Sequence, residues 1–533
     1  MIWFVTASIV VPVRLTLHRG RSRIVYAAGP QSRCLRSGFS ARCWMVDPAG
    51  NRTGIQYWVR MSRPAVRWSY SGMANLSPTR PGSGDCTGSA IGAMTQTLER
   101  PRRVNRDMRG ASRGAAAVAG PLIEMLVGPA SVRFDFWDGT TWGPAKGDTT
   151  VRLRSADALR RFLWSPGELG LGRAFVVGDI DIEGDIVEAI RVLRPGGQNL
   201  RASALRALPR AATAVRRLGA MGPPLPPPPE EARPWGRRHS VQRDAEVIGH
   251  HYDVGNGFYE LVLGPSMTYS CARFADPAMS LAEAQASKHD LVCRKLGLHE
   301  KAGLRLLDVG CGWGSMAMHA ARKYGSQVVG VTISREQQAS AQQRVKEAGL
   351  ADQVEIRMQD YRDLAGERFD AVSSVGMSEH VGSARIGEYF STLASLLVPG
   401  GRLLNHAISS VGGSKLGRRS FMYRYVFPDG ELLDVGHTVL AMQGAGFEVR
   451  DVESLREHYA LTLREWVANL EENWDAAVAL VGARRARVWR LYMAGSAVGF
   501  EDGGLGIHQV LGTVASADGF SGMDRTRDGW ATA

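Results

Sequence analysis

The sequence is poor in lysine. Seven lysines stand against 58 arginines in 533 residues, a skew that reads as codon bias rather than as binding chemistry. Cysteine is scarce too. The six present are Cys34, Cys43 and Cys86 near the N-terminus and Cys271, Cys293 and Cys311 in the body, with no CxxC pair and no Cys/His cluster. That argues against a zinc site or a disulfide framework, so no metal and reduced cytoplasmic thiols are expected. No uncharged apolar run reaches the roughly 18–20 residues that cross a bilayer, which excludes a transmembrane protein. With 44% hydrophobic and 22% charged residues, collagen, coiled coil and wholesale disorder are excluded as well.

Acidic residues are missing from one region above all. Residues 1–93 hold 12 Arg, no Lys and only two acids, Asp47 and Asp85, a local +10 out of a formal +13. The remaining chain carries +3, so the basic balance belongs to the N-terminal segment and no nucleic-acid partner is expected. The apolar stretch Met1–Val13 precedes its first charge, Arg14, the reverse of the order in a secretory signal. Beyond it, Ser, Gly, Arg and Pro follow no period from which a core could be built. We read 1–114 as a disordered leader, in part sequence upstream of a misassigned start, with Met94 as the candidate true start. An Arg-rich membrane-binding arm is the alternative.

From about Gly120 the pattern changes. Ser131–Trp137 alternates as a half-buried strand, Thr149–Leu153 reads as another, and Ala156–Trp164 has helical spacing. Gly167–Gly184 reads as tight turns around short apolar segments. Together these predict a small α+β unit over 115–218. It ends in Leu200–Leu218, a basic amphipathic helix kinked at Pro209, which either lies on an anionic membrane or packs its Leu/Ala face on its own domain. Six prolines within Pro223–Pro229 make 219–237 a stiff Pro-rich linker.

Over 238–512, strand-like runs at Leu304–Val309, Gln327–Val331, Val354–Met358, Phe369–Val375 and Gly401–Ser409 alternate with helical patterns at Met316–Lys323, Arg335–Ala348 and Ile386–Leu397. This predicts a doubly wound, mostly parallel α/β sheet, followed by a C-terminal tail, 513–533. Its first strand runs into Leu306–Ser315, LLDVGCGWGS. Gly310, Gly312 and Gly314 permit tight turning and close backbone approach to a ligand. No Gly-Lys-Ser/Thr follows, so a nucleoside-triphosphate loop is not indicated. Asp308 suits a cationic ligand.

This D-x-G-C-G-x-G pattern resembles the S-adenosylmethionine loop of class I methyltransferases. Many of these carry an acid at the end of the second strand; here Val329–Ser334 has none, and Thr332 and Gln337 are the polar substitutes. Asp360 and Tyr361 are candidates to flank the adenine. Five further motifs stand in order: HYDVGNGFY from His251, TYSC from Thr268, MSEHVG from Met377, LNHAI from Leu404 and EHYALTLREW from Glu457. Together they resemble the cyclopropane-fatty-acyl-phospholipid synthases and mycolic acid cyclopropane synthases, over about 240–510 and more loosely back to about 115.

That resemblance implies methylene transfer from S-adenosylmethionine to a cis double bond in a phospholipid acyl chain, through a carbocation deprotonated by a bound bicarbonate. It maps the bicarbonate site onto Cys271, Glu379, His406, Ile408 and Tyr459, and sets Tyr252, Tyr269 and Ser270 beside the cofactor. Taken singly, Cys271 reads as a packed thiol, His406 as a structural histidine and Tyr459 as a packing residue; the joint match carries the assignment. A cytoplasmic enzyme in peripheral contact with the inner membrane face is expected, with a homodimer as candidate assembly. Loss of a different proton leaves a methylene branch, for which a separate reductase is the candidate partner. A small-molecule methyltransferase and a non-catalytic lipid-binding protein are further alternatives.

Overall fold

The computed structural model describes residues 114–127, 132–145, 148–193, 213–232, 254–413, 416–428 and 430–531, together with backbone strands between 39 and 66. The chain divides into a unit over Thr6–Arg106 and a larger one over Asp107–Ala533 that also takes in Met1–Val5. In the smaller unit Phe39–Val46 pairs antiparallel with Arg52–Val59, and Met61–Ser62 with Ala65–Val66. The rest of the segment read as a leader lies outside the described residues, as does most of Leu200–Leu218.

The larger unit opens with α1 (Ala115–Val127), β1 (Arg133–Phe136), β2 (Thr141–Trp142), β3 (Thr150–Leu153), α2 (Asp157–Trp164), α3 (Glu168–Val177), β4 (Ile180–Glu183) and α4 (Ile186–Leu193). The sheet order is β2-β1-β3-β4, with only β1 and β3 parallel. Phe134 and Phe136 point into the core while Arg133 and Asp135 do not, the period of two read from the sequence.

Gly167–Gly184 departs from expectation: it forms α3 and β4 rather than a run of turns. Two of its glycines serve close packing. A Cβ on Gly170 would lie 2.2 Å from the Ser165 carbonyl oxygen, and one on Gly172 would lie 2.5 Å from the Phe421 ring. The Pro-rich segment is also not a free spacer, since it lies along α2. Arg160 Nε donates to Pro223 O at 2.8 Å, Arg161 Nη1 to Pro226 O at 3.1 Å and Trp164 Nε1 to Gly222 O at 2.9 Å. At its end Glu231, with no exposed side-chain surface, bridges Arg173 of α3 at 2.7 Å and Arg424 at 2.7 Å. Arg424 belongs to a π-helical turn, Met422–Val426.

There follow α5 (Asn256–Leu263), α6 (Leu281–Lys295), β5 (Arg305–Val309), α7 (Ser315–Tyr324), β6 (Gln327–Thr332), α8 (Arg335–Glu347), β7 (Val354–Met358), β8 (Phe369–Val375), α9 (Ile386–Ser395), β9 (Leu397–Ser410), β10 (Leu433–Asp434), α10 (Val435–Gly444), β11 (Phe447–Ser454), α11 (Arg456–Glu472), α12 (Trp474–Val481), α13 (Ala483–Glu501), β12 (Leu505–Val514) and α14 (Asp528–Ala531). The main sheet runs β7-β6-β5-β8-β9-β12-β11, with β10 on β9. Strands β5 to β9 are parallel and β12 is antiparallel to both its neighbours. The expected doubly wound sheet is present.

Strands β5 and β6 are buried after their first residue, as central parallel strands covered on both faces must be. Leu306 and Leu307 point to opposite faces and enter separate core clusters. Helix α6 starts at a capping box between Ser280 and Glu283. Beyond β12, Trp530 is buried and Arg402 Nη2 donates to Gly522 O at 2.9 Å, so the C-terminal segment packs on the sheet. Among the described residues no helix is long and apolar enough to cross a membrane.

Candidate active site: a cofactor cleft and a buried acid–histidine pair

Strand order reverses between β5 and β8, and a cleft opens at their C-terminal ends, where doubly wound sheets bind ligands. The loop after β5 makes its floor. Gly310, Gly312 and Gly314 have φ of +74°, +55° and +79°, values that glycine adopts without the steric cost a Cβ imposes. The Gly310 and Cys311 N–H groups both donate to Val331 O at 3.0 Å, which ties the loop to β6. Of the residues expected around the cofactor, Tyr269, Ser270, Asp308, Gly310, Gly312, Thr332, Gln337, Asp360 and Tyr361 line this cleft. Gly314 lies beneath it, where a Cβ would meet Ala341 at 3.4 Å. Tyr252 lies outside the described residues.

The polar walls are uneven in their satisfaction. Thr332 Oγ1 donates to Gln337 Oε1 at 2.9 Å. Asp360 is engaged by Arg362 through two side-chain bonds, at 2.8 and 2.6 Å, and a backbone N–H at 3.0 Å. Asp308 is buried and accepts from Ser373 Oγ at 2.7 Å, while its other oxygen is buried without a partner. Burial raises its carboxyl to about 6 against the opposing pull of Ser373 and Lys288. A buried acceptor left open, beside a glycine loop and in the cleft wall, fits a cationic group such as the amino group of S-adenosylmethionine.

The residues expected to do chemistry form a second group, joined through backbone. Glu379 Oε1 accepts from the Ile408 N–H at 2.8 Å, and its Oε2 is buried without a partner. Burial lifts this carboxyl to about 7. His406 lies two residues before Ile408 on the same face of β9. It is 1% exposed, its Nδ1 meets Gln509 Nε2 at 3.2 Å, and its Nε2 is buried without a partner. Burial holds it well below the usual histidine range, so it is neutral.

Ile408 pairs with Ile507 of β12, whose carbonyl accepts from the Leu455 N–H at 3.0 Å. The Leu455 carbonyl in turn accepts from the Tyr459 N–H at 3.1 Å and from Cys271 Sγ at 3.7 Å. Cys271 is wholly buried, and that burial pushes its thiol far up, so it is not a thiolate. None of these five lines the cofactor cleft itself. Tyr459 is linked to the cleft through Trp466, which it meets at 6.0 Å and which packs on the cleft residue Tyr269 at 5.3 Å.

Several contributors escaped the sequence reading. Gln285 Nε2 donates to Ser270 O at 2.8 Å, and Lys288 Nζ to Ser270 Oγ at 2.9 Å. Arg344 Nη1 donates to Trp313 O at 2.6 Å, bracing the loop. For Lys288 a signal existed: it continues the buried stripe Leu281, Ala284 and Leu291 of α6, where lysine is out of place. Nothing local marked Arg344 or Gln509.

Fold and cleft define a class I S-adenosylmethionine-dependent methyltransferase. A family profile described as mycolic acid cyclopropane synthetase matches residues 239–510, and the chain belongs to that family. It is 46% identical over 398 residues to a probable fatty acid methyltransferase of Mycobacterium tuberculosis, covering 72% of this chain and 92% of that protein. It is 34% identical over 410 residues to a tuberculostearic acid methyltransferase of the same organism, covering 74% and 90%. To the cyclopropane-fatty-acyl-phospholipid synthase of Escherichia coli K12 it is 34% identical over 370 residues, covering 69% and 88%.

Proposed function

We propose that this enzyme transfers a one-carbon unit from S-adenosylmethionine to the cis double bond of an unsaturated phospholipid acyl chain and closes a cyclopropane ring. The observation that carries the reading is the pair Glu379 and His406. Each has one buried polar atom without a partner, and both are held at one end of β9. Bound cofactor supplies an electrophilic methyl group. An alkene is a weak nucleophile, so the protein must align it and keep water out.

Asp308 and the glycine loop would hold the cofactor, and Tyr269 and Trp313 in the cleft wall, backed by the buried rings of Tyr259, Trp466 and Trp489, would exclude water and offer aromatic surface to positive charge. Glu379, His406, Tyr459 and the backbone about Cys271, whose thiol is itself turned to backbone carbonyls, would hold bicarbonate, which when bound supplies the base. The Ile408 N–H is already committed to Glu379 and is not among its free donors. A neutral Cys271 does not trap a cation, and Glu379 near 7 can take up or hold a proton at physiological pH. Exposed Trp164 of α2 and Met221 of the Pro-rich segment that packs on it offer apolar contact with the inner membrane face.

A second reading ends in a methylene or methyl branch from the same first step, made with a reductase partner. It is favoured by 46% identity to a relative named a fatty acid methyltransferase. Incubation with mono-unsaturated phospholipid vesicles and methyl-labelled cofactor, followed by NMR of the product, decides. Ring protons are expected; a vinylic methylene signal without them sinks cyclopropanation.

A further inference from the structure

Lys288 is a fully buried cation in the wall of the cofactor cleft, 1% exposed. Its ammonium has three donors, and one goes to Ser270 Oγ at 2.9 Å. Asp308, in the same wall, has a carboxylate oxygen without a partner. No ion pair joins the two among the described residues, although each feels the other's charge. A buried cation and a buried anion that face one cleft without touching are costly in isolation. A ligand with a positive and a negative group a few bonds apart would satisfy both.

We propose that Lys288 binds the carboxylate of the amino-acid end of S-adenosylmethionine while Asp308 takes its ammonium. This rests on the reading of the cleft as the cofactor site. Ser270 takes part: by accepting from Lys288, its hydroxyl turns its own hydrogen away from the lysine, free to donate to the same carboxylate. Gln285 holds the Ser270 carbonyl at 2.8 Å, and both it and Lys288 come from α6, so one helix sets the geometry of this subsite. Burial lowers the Lys288 ammonium to about 8, so the group is cationic at neutral pH and gains further from an anion placed beside it.

Isothermal titration of the full chain with S-adenosylhomocysteine, and with the same thioether lacking its carboxylate, tests the assignment. The wild type is expected to bind the decarboxylated ligand about 10- to 100-fold more weakly, the range for a charge-assisted hydrogen bond. Lys288→Met should lose a similar factor on S-adenosylhomocysteine and none on the decarboxylated ligand, while Lys288→Arg recovers part of the preference. Equal wild-type affinity for both ligands overturns the proposal without any variant having to fold. So does a methionine variant that weakens both equally, or one that discriminates as strongly as the wild type. If the wild type binds neither ligand, the reading of the cleft falls with it.

Discussion

Replacing Glu379 by glutamine removes a titratable group while keeping its shape and its bond from the Ile408 N–H. Burial raises this carboxyl from 4.5 to about 7. An acid raised on folding contributes its stability below the unfolded value and loses it as pH climbs through the folded value. At pH 8 the wild type therefore carries a penalty of about 3 kcal/mol for holding the charge. Glutamine carries none, although its buried amide N–H groups lack partners and take back part of the gain. The variant should be more stable by about 2 kcal/mol at pH 8, or roughly 3–6 °C in Tm, with the advantage shrinking as pH falls and turning into a deficit of about 1 kcal/mol near pH 4.5, where only the amide cost remains. Turnover should fall by about 10²–10³-fold if Glu379 handles a proton. Thermal melts of both proteins from pH 4.5 to 8, free of cofactor and in carbonate-depleted buffer, give the answer. A gain in Tm that is the same at every pH, or a loss at pH 8, would refute the assignment of a strained, buried carboxyl.

The other perturbations concern the joint between the domains. Glu231→Gln leaves Arg173 and Arg424 facing each other without their anion, and urea unfolding at pH 7 should register a loss of about 3 kcal/mol. Burial opposes its ionisation, but Arg173 and then Arg424 hold the Glu231 carboxyl below its ordinary 4.5. Its contribution is thus present above that value and is lost on acidification, so the gap between variant and wild type should close at low pH. Gly172→Ala drives a methyl group into the Phe421 ring, 2.5 Å away, and should cost about 1–3 kcal/mol. If alanine is tolerated at no cost, α3 does not pack as described.

Much of the methyltransferase domain was legible because its signals are local. The run Leu304–Val309 and the strand β5 both end at Val309, just before Gly310, and Arg335 opens α8 behind a capping serine, Ser334. Where the reading failed, the cause lies in distant partners. Gly167–Gly184 is rich in glycine, which weakens helices by about 1 kcal/mol per residue, yet part of it forms α3, where Ser165 and Phe421 leave no room for anything larger at two positions. The prolines of 223–229 signal stiffness correctly, but nothing in them announces that their carbonyls accept from Arg160 and Arg161.

The sequence by itself determined the class of enzyme, the alternation of strands and helices between Leu304 and Ser409, and the identity of Asp308, Glu379 and His406 as the residues worth attention. Periodicity, glycine spacing and motif order are properties of neighbouring residues, and they survive without coordinates. Only the tertiary structure decided which atoms of those residues are left open. Asp308 Oδ2, Glu379 Oε2 and His406 Nε2 are unpartnered because Ser373, Ile408 and Gln509, 65, 29 and 103 residues away, each satisfy one site and leave the other. Burial and pairing depend on contacts between residues far apart in the chain, and so does the placement of Lys288 and Asp308 in one cleft wall.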